Sequence, residues 1–139
     1  MFANARQSYD AATKTSVSSR ELEARALYKA ARQLEDCLRD WDAPGRPDRL
    51  DDAIRFNQRL WTLFQTQLAD PAHPLPLELR LNLLRLTQFI DKRSFDILSH
   101  PERSKLKALI ELNRNIAEGL RVDATKVQEP AEAPKVAAA

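Results

Sequence analysis

Apolar residues return along this chain every three or four positions, in five runs separated by short polar or proline-containing breaks. That period matches the face of an α-helix, so the pattern predicts a succession of helices. The first run sets Phe2, Ala5, Tyr9 and Ala12 on a short stripe and predicts a short N-terminal helix, marginal alone and in need of a larger body to dock on. Thr15-Ser16-Val17-Ser18-Ser19 reads as a break, and Ser18 followed by Glu21 has the spacing of a capping box, so a long helix is expected to begin there. Its apolar face is Leu27, Ala31, Leu34, Leu38 and Trp41, and it should end at Pro44-Gly45.

Asp48 is placed to cap the next helix, with Asp51 in its first turn where the macrodipole favours a carboxylate. Leu50, Ile54, Asn57, Trp61, Phe64 and Leu68 then form the most regular stripe in the chain, with Leu60 beside it and Asn57 its one polar member. The run Asp70-Pro71-Ala72-His73-Pro74 stops it. A further helix is expected from about Pro76, with Leu79, Leu83, Leu86 and Ile90 flanked by Leu77, Leu81, Leu84 and Phe89. So broad an apolar face implies contact with two neighbours or a central place in the bundle. Ser99 and Glu102 repeat the capping-box spacing around Pro101, and Leu106, Leu109, Asn113, Ile116 and Leu120 form the last stripe. The expected fold is all-α: a compact bundle of about four main helices plus the short N-terminal one over residues 1–121. Residues 122–139, rich in Ala, Pro, Glu and Lys, read as a disordered tail because they offer no apolar face to offset ordering entropy.

Composition narrows the function. The 139 residues suit one domain, and 43% apolar with 30% charged residues is ordinary for a globular protein. Opposite charges nearly cancel, 22 Lys and Arg against 20 Asp and Glu, so no strong field draws the chain to nucleic acid or an anionic membrane. Basic residues such as Arg55, Arg59, Arg85 and Lys92 are mostly interleaved with acidic ones; RNA binding is not indicated, though the sequence leaves it open. A single cysteine, Cys37, precludes an internal disulfide. No stretch has the apolar length to span a bilayer and the start lacks a signal-peptide pattern, so a cytoplasmic protein without membrane insertion is expected.

Chemistry is sparse. His73 and His100 both stand beside prolines in predicted loops, outside any metal-spaced cluster, and turn roles suit them better than ligation. Neighbouring carboxylates such as Asp51 and Asp52 diverge on a helix and read as a solvated face. Only two glycines, Gly45 and Gly119, are present, too few for a phosphate-cradling loop. No catalytic, cofactor or metal residues are therefore assigned, and an enzyme is not expected. Trp61 is read as core or as an interface anchor, with core favoured. Asn57 and Asn113 fit either an internal hydrogen bond that sets helix register or amide contacts to a partner.

Four segments carry a resemblance. They are Arg20-Glu21-Leu22-Glu23; Ala53, Asn57, Leu60 and Trp61 in the pattern A-x-x-x-N-x-x-L-W; Leu75-Pro76 before a leucine-rich helix; and the closing Leu109, Ile110, Asn113, Ile116, Gly119 and Leu120 in the pattern L-I-x-x-N-x-x-I-x-x-G-L. In this order and spacing the chain resembles the FlaF family of flagellar biosynthesis regulators over roughly residues 5 to 120. The tail after Leu120 is longer than the family core requires, and Ala117 stands where a bulkier residue is common. The resemblance implies a non-enzymatic cytoplasmic factor that binds flagellin and promotes its synthesis and secretion with the regulator FlbT, with the flagellar export apparatus as a further partner. An RNA-binding regulator of flagellin mRNA, or an adaptor for FlbT or the export gate alone, are the competing expectations. The candidate partner-binding residues are Phe2, Tyr9, Asn57, Leu60, Trp61 and Asn113: an N-terminal segment that lifts to expose an apolar strip floored by Leu60 and Trp61, against the alternative that Phe2 and Tyr9 complete the core.

Overall fold

The computed structural model describes the backbone of residues 4–125 and the side chains of residues 19–121. It contains four α-helices, α1 (Asn4–Arg39), α2 (Arg46–Ala69), α3 (Leu77–Ser99) and α4 (Leu106–Thr125), with a 3-10 turn at Arg103–Lys105 before α4. No strand occurs among the described residues. Successive helices run antiparallel. On α1 and α2, Lys29 Nζ lies 5.2 Å from the Phe56 ring centre, and eight residues on, Cys37 Sγ donates to the carbonyl of Arg49, seven residues back along α2, at 3.6 Å. The Arg80 guanidinium of α3 reaches back to the Leu68 and Asp70 carbonyls at 3.3 and 2.8 Å, satisfying groups that the end of α2 leaves free. Arg114 pairs with Glu35, and Arg103 donates to the Leu38 carbonyl, which ties α4 and its leading turn to the far end of α1.

The break expected at Thr15–Ser19 does not form. α1 is continuous from Asn4 to Arg39, so the short N-terminal helix is its first part, and Ser19 donates to Glu23 four residues on along the helix. The physical reason is that Ser and Thr only weaken a helix, by roughly half a kcal/mol each, and no Gly or Pro stands between Asn4 and Arg39 to end it. Two other caps are also corrected. α2 begins at Arg46 behind Gly45, whose φ of 83° is left-handed, and Asp48 falls inside the first turn without a capping bond. Arg49 closes that corner instead, donating to the carbonyls of Asp40 (2.8 Å), Ala43 (3.2 Å) and Pro44. Ser99 is the last residue of α3, so it forms no capping box with Glu102.

The core is built from one face of each helix, with Leu27, Leu34, Ile54, Trp61, Ile90, Ile97, Leu106 and Leu109 fully buried. All six positions of the α2 stripe are buried, and α1 packs extensively on both α2 and α4. α3 departs from expectation: it packs mainly on α2, touches α4 little, and is peripheral. Its buried residues are only Thr87, Ile90, Ser94 and Ile97. Half of that inward face is small and polar, so it cannot fill the space between α2 and α4, and most of the leucines stay half-exposed.

Candidate functional site

Where α3 stands away from α4, a cleft of about 270 Å³ opens at the end of the bundle formed by the C-terminal part of α2 and the N-terminal part of α3. Its floor is Trp61, Phe64 and Leu68, one side of the α2 stripe, with the Trp61 and Phe64 rings edge to face at 5.4 Å. Leu79 and Leu83 of α3 form one wall, and Ile116, Gly119 and Leu120 of α4 the other. The rim is polar. Ser19, Arg20 and Glu23 of α1 contribute, as does His73, whose Nδ1 accepts from the Leu75 backbone N–H at 3.2 Å and shapes the loop before α3.

Beneath the floor runs a chain of buried hydrogen bonds. The Trp61 indole N–H donates to Asn113 Oδ1 at 2.8 Å, and Asn113 Nδ2 donates to Asn57 Oδ1 at 2.8 Å. The indole can only donate, so it orients the Asn113 amide, which in turn orients that of Asn57. Asn57 Nδ2 is left without a partner. Since Asn57 and Asn113 are 0% and 1% exposed, they hold α2 to α4 and present no amide to solvent in this state.

The residues singled out from sequence thus divide. Trp61 lines the cleft; Asn57 and Asn113 support it from inside; Leu60 is partly buried against the core without lining it. Phe2 lies outside the described residues, as does the side chain of Tyr9. Phe64, Leu68, Leu79, Leu83 and Gly119 line the cleft and were not singled out as site residues. A signal for the α3 pair was present in the breadth of its leucine face, which exceeds what one neighbour can cover. The same surplus leaves Leu77, Leu81 and Phe95 exposed on the outer side of α3, Phe95 at 73%.

The arrangement offers apolar area and shape, with little chemistry. Among the described residues, no three His, Cys, Asp or Glu side chains converge on a point. The displaced acid groups lie away from the cleft: burial pushes the Cys37 thiol up despite the opposing Arg49 charge, and the hydrogen bond from Arg39 holds the Asp40 carboxyl low. No helix among the described residues is long and apolar enough to cross a membrane.

The family model for flagellar protein FlaF matches residues 5–120. No curated protein and no solved structure gives a significant match. The matched span runs through all four helices and takes in both cleft walls, the Trp61 floor and the Asn57–Asn113 pair beneath it, and on that match the chain belongs to the FlaF family of flagellar proteins.

Proposed function

We propose that this chain is a non-enzymatic flagellar assembly factor that binds flagellin, seating an amphipathic helix of the unassembled subunit in the cleft between α3 and α4. The observation that carries this reading is the cleft itself: an apolar floor and two apolar walls beside a helix, α3, that packs on α2 and scarcely touches α4. Unassembled flagellin has terminal segments rich in amphipathic helix, whose apolar faces stay uncovered until polymerisation. A groove between helices suits such a face, and covering it would prevent self-association before export. Promotion of flagellin synthesis and secretion together with FlbT, in the cytoplasm, belongs to the same proposal. The exposed Leu77, Leu81 and Phe95 on the outer side of α3 favour a second contact, with FlbT or the export apparatus, at a surface separate from the cleft.

The test is a pull-down of purified monomeric flagellin and, separately, of FlbT, by the parent protein and by Leu83→Arg and Phe95→Asp. Leu83→Arg places a charge in the cleft wall and should abolish flagellin capture, while Phe95→Asp should leave it intact and weaken capture of FlbT. Flagellin capture that survives Leu83→Arg, with circular dichroism showing a folded variant, would remove the cleft from the proposal.

A further inference from the structure

Among the described residues, nothing requires Gly119 to be glycine. It lies inside α4, six residues before the last helical residue Thr125, so it does not terminate the helix. Its backbone is not left-handed, since Gly45 is the one positive-φ residue among those described. A Cβ built on it would meet nothing within 4 Å. Glycine is nevertheless the least favourable helix-interior residue after proline, because it loses the most backbone freedom on folding. The fold would be better served by alanine. What the missing side chain does leave is open space at the α4 wall of the cleft that Trp61, Phe64 and Leu68 also line.

We propose that Gly119 is the point of closest approach for the bound helix. Two packed helices lie about 8–10 Å apart depending on the side chains between them, and removal of a Cβ at the crossing permits the short end of that range. A partner helix crossing α4 at Gly119 brings its apolar ridge down onto Trp61, Phe64 and Leu68, where a bulkier residue at 119 would hold it off. The rim adds a requirement of charge. Glu23 already accepts from Ser19 at 3.1 Å, whereas Arg20 makes no ion pair or hydrogen bond among the described residues, so its guanidinium is available to a partner carboxylate. The occupant is therefore an amphipathic helix with Asp or Glu beside its apolar ridge, seated close to α4. This rests on the flagellin reading and adds to it the residue that sets the fit.

The experiment uses the full-length chain and purified monomeric flagellin, with calorimetric titration and thermal melts of the parent, Gly119→Ala, Gly119→Leu and Leu83→Arg. Gly119→Ala should raise Tm by about 3–4 °C through helix propensity, yet weaken flagellin binding. Gly119→Leu should weaken it by roughly tenfold to a hundredfold, the usual penalty of overpacking, with helicity unchanged. Parent-like flagellin affinity in Gly119→Leu, alongside lost binding in Leu83→Arg, overturns the close approach and leaves the cleft reading standing. A fall in Tm for Gly119→Ala shows the glycine serving the chain's own fold and also overturns it. Absence of flagellin binding by the parent overturns the flagellin reading and this inference together. A parent that is dimeric, with Gly119→Leu monomeric and flagellin binding intact, assigns the cleft to a second copy and refutes the proposal.

Discussion

Replacing Asn113 by leucine should cost about 4 kcal/mol, and replacing Asn57 by leucine in the same molecule should return most of it. The arithmetic follows from which polar atoms each change strands. In the parent, the indole N–H, the Asn113 amide and Asn57 Oδ1 are all paired, and only Asn57 Nδ2 is not. Leucine at 113 has the same branched heavy-atom skeleton as asparagine but bulkier branches, so no cavity opens and any overpacking would add to the cost. It strands two further buried atoms, the Trp61 N–H and Asn57 Oδ1, at about 1–3 kcal/mol each. Leucine at 57 alone strands Asn113 Nδ2 but also removes the existing orphan, so its net cost should be within about 1 kcal/mol. The double variant exchanges one stranded donor, Asn57 Nδ2, for another, the indole, so it should fall within about 1 kcal/mol of the parent and be clearly more stable than the Asn113 single. Urea denaturation followed by circular dichroism at 222 nm, over the four members of the cycle, measures this directly. The reasoning fails if the double variant is less stable than Asn113→Leu, or if Asn113→Leu costs under about 1 kcal/mol.

Gly45→Ala should lower stability by about 1–2 kcal/mol in the same urea assay, because φ is 83° there and the new Cβ would sit 3.2 Å from Arg49 Nη1, crowding the guanidinium that closes the α1–α2 corner. Cys37, buried and the one thiol in the chain, should resist a disulfide reagent until the protein is unfolded. Burial raises its pKa above the ordinary 9.0, so the unfolded chain ionises first; the thiol's share of stability is complete below pH 9.0 and falls as pH rises from there through the folded value. A Cys37→Ala variant should lose that alkaline dependence, and an unchanged slope above pH 9.0 would contradict the assignment. Ser94→Ala should be neutral or stabilising by up to about 1 kcal/mol, since Ser94 Oγ is buried without a hydrogen-bond partner; a clear fall in Tm would show the hydroxyl to be bonded.

Much of the fold can be read from the chain because its signals are local. The α2 stripe from Leu50 to Leu68 obeys one period, and each of its members is buried in the structure, Asn57 included. Proline and glycine mark the breaks at 44–47, 71–76 and 101 where they stand. The misreadings arise where a local signal competes with continuity or with tertiary packing. Ser18 and Glu21 have capping spacing, but a helix already running through them has no free N–H groups there for a cap to satisfy, and α1 continues. The leucines of α3 announced a broad apolar face correctly, while Thr87 and Ser94, which decide how closely that face can approach α2 and α4, look unremarkable in sequence. The Asn57–Asn113 bond was one of two readings of a polar residue on an apolar stripe. Only the three-dimensional placement of Asn113 beside both Asn57 and Trp61 selects it. The cleft depends on the separation of α3 from α4, a relation between elements far apart in the chain, and no period or cap encodes it.

The position of α3 links the packing to the binding proposal. A bundle that used all of the leucines on this helix internally would need apolar residues at 87 and 94, and α3 would then settle against α4 and close the seam. With threonine and serine there, one hydroxyl is satisfied locally by the Leu84 carbonyl at 2.6 Å and the other has no partner, so the inward face anchors α3 to α2 without drawing it to α4. The same choice leaves Leu79 and Leu83 lining the cleft together with Trp61 and Phe64. Meanwhile the Trp61–Asn113–Asn57 chain locks α2 to α4 on the other side of that floor, independent of α3. The α1–α2–α4 core is thus tied together by contacts that do not involve α3. If the proposed cleft binds the partner, wall substitutions on α3 and α4 should change affinity and asparagine substitutions should change stability, so the two groups should separate binding from folding.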